Sequence, residues 1–165
     1  MSVIYAVLNS TGTCIIAAIL EGLFAGKNVK TFLGTLRTPA YAPPLWMWII
    51  IAVGYYSICF IVLYRIFRFE NSTSFKYLAL ILLLVVMAVN ALWNYVFFQL
   101  QNLFFAFVLS LLYSIVAIFL FVCLVQFDRA AAFVLLPYLI YLVYAFYWGY
   151  SLSKLNPHTN GTSAV

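Results

Sequence analysis

The chain has 165 residues, 68% of them hydrophobic and only 7% charged, with a mean hydropathy of +1.13. Ordinary soluble domains are about a quarter charged, so this chain needs a bilayer as its solvent. The formal charge of +5 comes from a few basic residues set mostly between apolar runs, where they suit lipid phosphates and leave no nucleic-acid footprint.

The pattern predicts an all-α integral membrane bundle of five transmembrane helices in one domain, residues 1–157, followed by a polar tail, 158–165. The first span covers about residues 3–24. It has no basic stretch before it and no evident small-residue cleavage site, so it reads as a retained span and not a signal peptide. Its first half holds Asn9, Ser10, Thr11 and Thr13, and Glu21 lies about one turn from its end. Glu21 has two readings: a carboxylate that snorkels to the headgroups or pairs with Lys27, or a gate or pocket residue.

Residues 26–44 form the longest polar connection. Pro39, Pro43 and Pro44 fix φ and exclude regular helix, so the segment is expected to be a stiff loop. Around Tyr41 such a loop reads as a lid over a pocket, or as a plain helix-entry turn. The second span, about residues 45–64, opens on Trp46 and Trp48 at belt level and ends before Arg65 and Arg68. Asn71-Ser-Thr and, in the tail, Asn160-Gly-Thr fit the glycosylation pattern, which acts only in a secretory compartment.

The third span, about 75–98, and the fourth, about 103–127, are joined by a tight uncharged turn and must be antiparallel neighbours. The fifth, about 130–155, contains Pro137, expected to kink or restart the helix. Tyr138, Tyr141, Ala145 and Trp148 lie along one of its faces. Five spans place the two termini on opposite sides of the membrane. Arg65, Arg68, Lys76 and Arg129 on one side balance Lys27, Lys30, Arg37 and Lys154 on the other, so charge assigns no orientation. Cys14, Cys59 and Cys123 sit in separate apolar runs and read as free buried thiols.

The informative stretch is Asn90 to Phe98. No Asp, Glu, Lys or Arg occurs between Tyr77 and Phe127, and an amide in hydrocarbon wants a partner: another helix, a water or a ligand. Asn90, Asn94 and Phe97 share one helix face, and Trp93 is spaced to stack on Phe97. That face reads as the wall of an internal site; the alternative is amides acting as glue between helices.

The chemistry on offer is narrow. The one histidine, His158, is in the tail, which excludes His-box, zinc and mid-membrane haem-ligand chemistry. No lysine lies mid-span, and Glu21, Glu70 and Asp128 all lie near span ends, so no paired carboxylates and no proton relay are expected. No P-loop, nucleophile elbow or dinucleotide fingerprint is present. No catalytic residue, no metal site and no required cofactor is expected. Amides, phenols, indoles and phenyl rings make instead a binding site for a flat, largely apolar molecule with a few polar edges.

Three segments carry a resemblance to a known family. Leu36-x-x-Pro39-Ala-Tyr41-Ala-Pro43-Pro44, Asn90-x-x-Trp93-Asn-x-x-Phe97-Phe98, and Leu136-Pro137-Tyr138-Leu running on to Leu155-Asn156-Pro157 occur in order. They resemble the loop, third-helix and fifth-helix motifs of the TspO/MBR family, over about residues 22–157. The family comprises the translocator protein or peripheral-type benzodiazepine receptor and the bacterial tryptophan-rich sensory proteins. The resemblance implies a five-helix membrane bundle, commonly a homodimer, with a ligand cavity beneath the first loop. Ligands implied are tetrapyrroles such as protoporphyrin IX and haem, isoquinoline and benzodiazepine drugs, and cholesterol in animals. The site expected here comprises Tyr41, Pro43, Pro44, Trp46, Asn90, Trp93, Asn94, Phe97, Tyr138, Tyr141 and Ala145. Asn90 would bond the polar edge of a bound molecule, Trp93, Phe97 and Tyr138 would pack on its face, and Tyr41 would close the top. The chain departs from the family pattern at Thr38, where a basic residue is usual, at Tyr41, where Trp or Phe is usual, at Tyr141, where Trp is usual, at Gly149, where Asn is usual, and at Ala52, where a Trp is usual. Some members are proposed to degrade porphyrin using pocket tryptophans, an alternative function that the two phenols weaken here.

Overall fold

The computed structural model describes residues 2–71 and 73–159. Five long apolar helices cross from end to end: α1 (Val3–Ala25), α3 (Leu45–Arg68), α4 (Ser74–Asn94), α5 (Leu103–Phe127) and α6 (Arg129–Leu155). A seven-residue helix, α2 (Val29–Thr35), lies in the first connection. Each long helix exceeds the ~20 residues that span a bilayer core, and the chain is a multi-pass membrane protein. Ser72, the tail from residue 160 and its Asn160-Gly-Thr pattern lie outside the described residues.

Short polar residues start the helices. Ser2, Thr73, Asn102 and Asp128 accept hydrogen bonds from the backbone N–H three residues on, beginning α1, α4, α5 and α6. Asp128 also receives Arg65 in a two-pronged pair, Nε to Oδ2 at 2.9 Å and a terminal nitrogen to Oδ1 at 2.8 Å. One carboxylate therefore caps α6 and fixes the end of α3.

The long helices close a ring in space. α1 packs on α3 and α4, α4 on α5, α5 on α6, and α6 on α3. Two buried clusters fill the two ends of the ring. Val62, Leu63, Ile66, Leu83, Leu120 and Leu124 belong to one. Phe32, Phe97, Leu103, Trp148 and Leu152 belong to the other. Side chains such as Ile4, Phe133, Ile140 and Val143 point outward and are about 70% exposed, as lipid-facing groups must be.

Two expectations are corrected. The first connection is not loop throughout, because α2 occupies residues 29–35. The prolines begin at Pro39 and restrict only the residues from Thr38 onward, while Phe32 is buried and anchors α2 edge-on against Phe97 and Phe98. Residues 36–44 form an irregular strap after it. The fifth long helix does not restart at Pro137: α6 runs unbroken from Arg129 to Leu155. At the α4–α5 turn the helix widens to a π-turn over Tyr95–Gln99, and Leu100 N–H reaches back to Tyr95 O.

Candidate functional site

Between the two clusters lies a cavity of about 280 Å³, walled by all five long helices and by α2. Ring geometry defines most of its surface. Trp93 stacks on Phe97 with centroids 4.7 Å apart and 17° between planes. Trp48 meets Trp148 at 5.0 Å, and Phe97 lies 5.9 Å from Trp148. Tyr55, Tyr113 and Tyr138 form the deep end, with Tyr55 and Tyr138 5.2 Å apart. On α3 the lining residues Leu45, Trp48, Ala52 and Tyr55 recur at helical spacing, which turns one face inward.

The polar pole of the cavity is Glu21. Asn90 Nδ2 donates to its Oε1 at 3.0 Å, and Asn94 Nδ2 donates to the same oxygen at 2.9 Å. The Tyr56 hydroxyl donates to Oε2. Asn94 Nδ2 also donates to Asn90 O at 3.0 Å, which fixes its rotamer. Helix α4 thus presents two amides one turn apart to a carboxylate on α1, and α3 supplies a third donor. Glu21 is half-buried and does not extend to Lys27; its partners are the two amides and the phenol.

Seven residues expected at the site line the cavity: Asn90, Trp93, Asn94, Phe97, Tyr138, Tyr141 and Ala145. Tyr41, Pro43, Pro44 and Trp46 do not. Trp46 is one helical position off the inward face of α3 and is 58% exposed, so Trp48 supplies the wall in its place. Tyr41 lies along α6, its ring stacked on Tyr147 at 5.3 Å and its hydroxyl 2.6 Å from Ser151 Oγ. Val29 and Leu33 of α2 close the loop side of the cavity. Sequence reasoning left Glu21 open between two roles and omitted Trp48, Tyr55 and Trp148 from the site. The α3 spacing of Leu45, Trp48, Ala52 and Tyr55 was the available signal for two of them.

An open, apolar groove of about 1,130 Å³ runs between α1 and α3 on the outer face. Val29, Leu45, Trp48 and Ala52 are walls of both the groove and the cavity, so the two adjoin. Cys14, Cys59 and Cys123 are free thiols.

Comparison with curated proteins finds no match. A family model described as TspO/MBR matches residues 10–155, which takes in the four long helices α3 to α6, α1 from Ser10 onward, and the whole cavity. By that match, on a five-helix membrane bundle, the chain belongs to the TspO/MBR family.

Proposed function

We propose that this protein is a membrane ligand-binding protein, a sensor or carrier, for a planar lipophile of the tetrapyrrole class such as protoporphyrin IX or haem. The observation that carries the reading is the cavity: aromatic walls from four helices around one polar pole, in the half of the bundle beneath α2. Flat aromatic walls favour flat ligands, at about 0.5–1.5 kcal/mol for each well-placed ring contact. The cavity volume of about 280 Å³ is at the small end of ligand pockets, which run from about 300 to 1,000 Å³. A macrocycle therefore needs the adjoining α1–α3 groove as well, and Val29, Leu45, Trp48 and Ala52 are the residues that would yield. A homodimer, implied by the family resemblance, belongs to this reading and is tested by cross-linking in intact membranes.

The test is a titration of the purified full chain with protoporphyrin IX, followed by tryptophan quenching. Saturable quenching that weakens in Trp93→Ala supports the reading. An affinity that Trp93→Ala leaves unchanged places the porphyrin elsewhere.

A second reading has its own observation. Asn90 and Asn94 donate to Glu21 on another helix, so they also join α4 to α1. On that reading the protein is a membrane interaction protein and its cavity is incidental. Absence of saturable protoporphyrin IX binding, with a large loss of stability in Asn90→Leu, would favour it.

A further inference from the structure

We infer that Glu21 is the selectivity residue of the cavity, and that the preferred ligand is a lipophilic amine: a planar apolar body carrying a cationic N–H group that docks on Glu21 Oε2. The inference rests on reading the cavity as a ligand site and narrows the chemistry of what enters it.

Three observations carry it. First, Glu21 lines the cavity itself and is not confined to the lipid face. Second, all three of its partners are neutral donors. A carboxylate drawn into a low-dielectric site is costly without a counter-charge, and neutral donors offset that cost only in part. Among the described residues that line the cavity none is Lys, Arg or His. Third, the donors are unevenly shared. A carboxylate offers about four acceptor positions, about two on each oxygen. Asn90 and Asn94 fill Oε1, while Tyr56 takes one position on Oε2. One acceptor position on Oε2 is left unfilled, on a residue that lines the cavity.

The same geometry works against ligands whose only polar groups are carboxylates. A second anion beside Glu21 would meet like charge with no cation among the lining residues to screen it. A porphyrin dicarboxylate would have to turn its acid groups away from Glu21. Lys30, on the wall of the adjoining groove, lies on that route.

The test uses three probes with one ring: 2-naphthylmethylamine, 2-naphthylmethanol and 2-naphthoate. Each is titrated into the full chain in an uncharged maltoside detergent, with tryptophan quenching as the readout. The amine is expected to bind about tenfold or more tighter than the alcohol, and the carboxylate weakest, as a charge-assisted hydrogen bond would give. In Glu21→Gln the amine-to-alcohol ratio should fall to within about threefold. The wild-type ratio alone still decides the matter if Glu21→Gln does not fold. Equal binding of amine and alcohol by the wild type, or an unchanged ratio in Glu21→Gln, overturns the inference and leaves the cavity reading standing. Failure of all three naphthalenes and of protoporphyrin IX removes the cavity reading, and this inference with it.

Discussion

The side chain of Asn156 clasps the backbone of Arg37 in both directions. Arg37 N–H donates to Asn156 Oδ1 at 2.8 Å, and Asn156 Nδ2 donates to Arg37 O at 2.9 Å. The same Nδ2 reaches Leu152 O at the end of α6. This ties the start of the 36–44 strap to the exit of α6, and Tyr41 repeats the connection at Ser151. Asn156→Ala should therefore release the strap. A loss of about 1–3 kcal/mol is expected from the stranded backbone groups, since Asn156 is buried. The melting temperature should fall, and amide exchange of Arg37 should quicken ahead of the long helices. Unchanged exchange at Arg37 would show that the clasp does not hold the strap.

Glu21, Asn90 and Asn94 form one unit, so their substitutions should not add. Asn94→Leu removes a donor from a half-buried carboxylate, with an expected cost of about 1–3 kcal/mol in the ligand-free protein. Once Glu21→Gln has replaced the carboxylate, the same change should cost less. The double-mutant coupling should be about 0.5–3 kcal/mol. Thermal unfolding of the four proteins in one detergent measures it. Strict additivity would mean that the amides serve α4 alone.

Much of this arrangement is legible in the amino-acid sequence. Apolar runs and their polar breaks located the five spans, because a bilayer admits few alternatives for a chain so poor in charge. The stacking of Trp93 on Phe97 and the inward face of Asn90, Asn94 and Phe97 follow from helical spacing alone. What resisted was partner choice between helices. The spacing leaves Asn90 open to a ligand or to another helix, and its amide donates to Glu21 of α1. That pairing depends on the rotation of α1 against α4, which no local pattern encodes. Tyr41 resisted for a related reason: motif order places it beside the cavity, but Ser151 and the Tyr147 ring draw it onto α6. The helix α2 was hidden because three nearby prolines outweighed Phe32, whose burial against Phe97 is a tertiary fact.

At the other end of the bundle, Asp128 has two duties of unequal weight. Arg65 is 40% exposed, so its ion pair is screened and contributes modestly. The cap on Ala131 N–H is buried. Asp128→Asn should keep the cap and lose only the charge, at a cost of about 0–1 kcal/mol. Asp128→Ala loses both and should cost more, by about 1 kcal/mol for the cap. Unfolding of the two variants in the same detergent distinguishes them. Equal losses would place the whole effect in the ion pair.

Gly26 ends α1 at φ +70°. A Cβ there would fall 1.8 Å from Gln99 Nε2, which donates to Ala25 O. Gly26→Ala therefore meets both a backbone penalty and a clash. The backbone share is about 1–3 kcal/mol, because φ +70° with ψ −165° lies in a region essentially reserved for glycine, and shortening Gln99 should remove the clash. Gly26→Ala with Gln99→Ala is expected to recover part of the stability lost by Gly26→Ala alone, and not all of it. Full recovery would deny the conformational penalty.

Ala52 stands where the cavity and the α1–α3 groove share a wall. A small residue there keeps the two spaces adjoining, and a large ring would separate them. Ala52→Trp should therefore slow both association and release of a planar probe such as protoporphyrin IX. The affinity for protoporphyrin IX should fall as well, because a macrocycle that occupies both spaces loses the opening between them. Ala52 is solvent- or lipid-exposed in the bundle, so the substitution adds surface without overfilling a packed core. Stopped-flow quenching gives both rates. If Ala52→Trp weakens binding through release alone, the residue touches the bound porphyrin and the groove is not its way in.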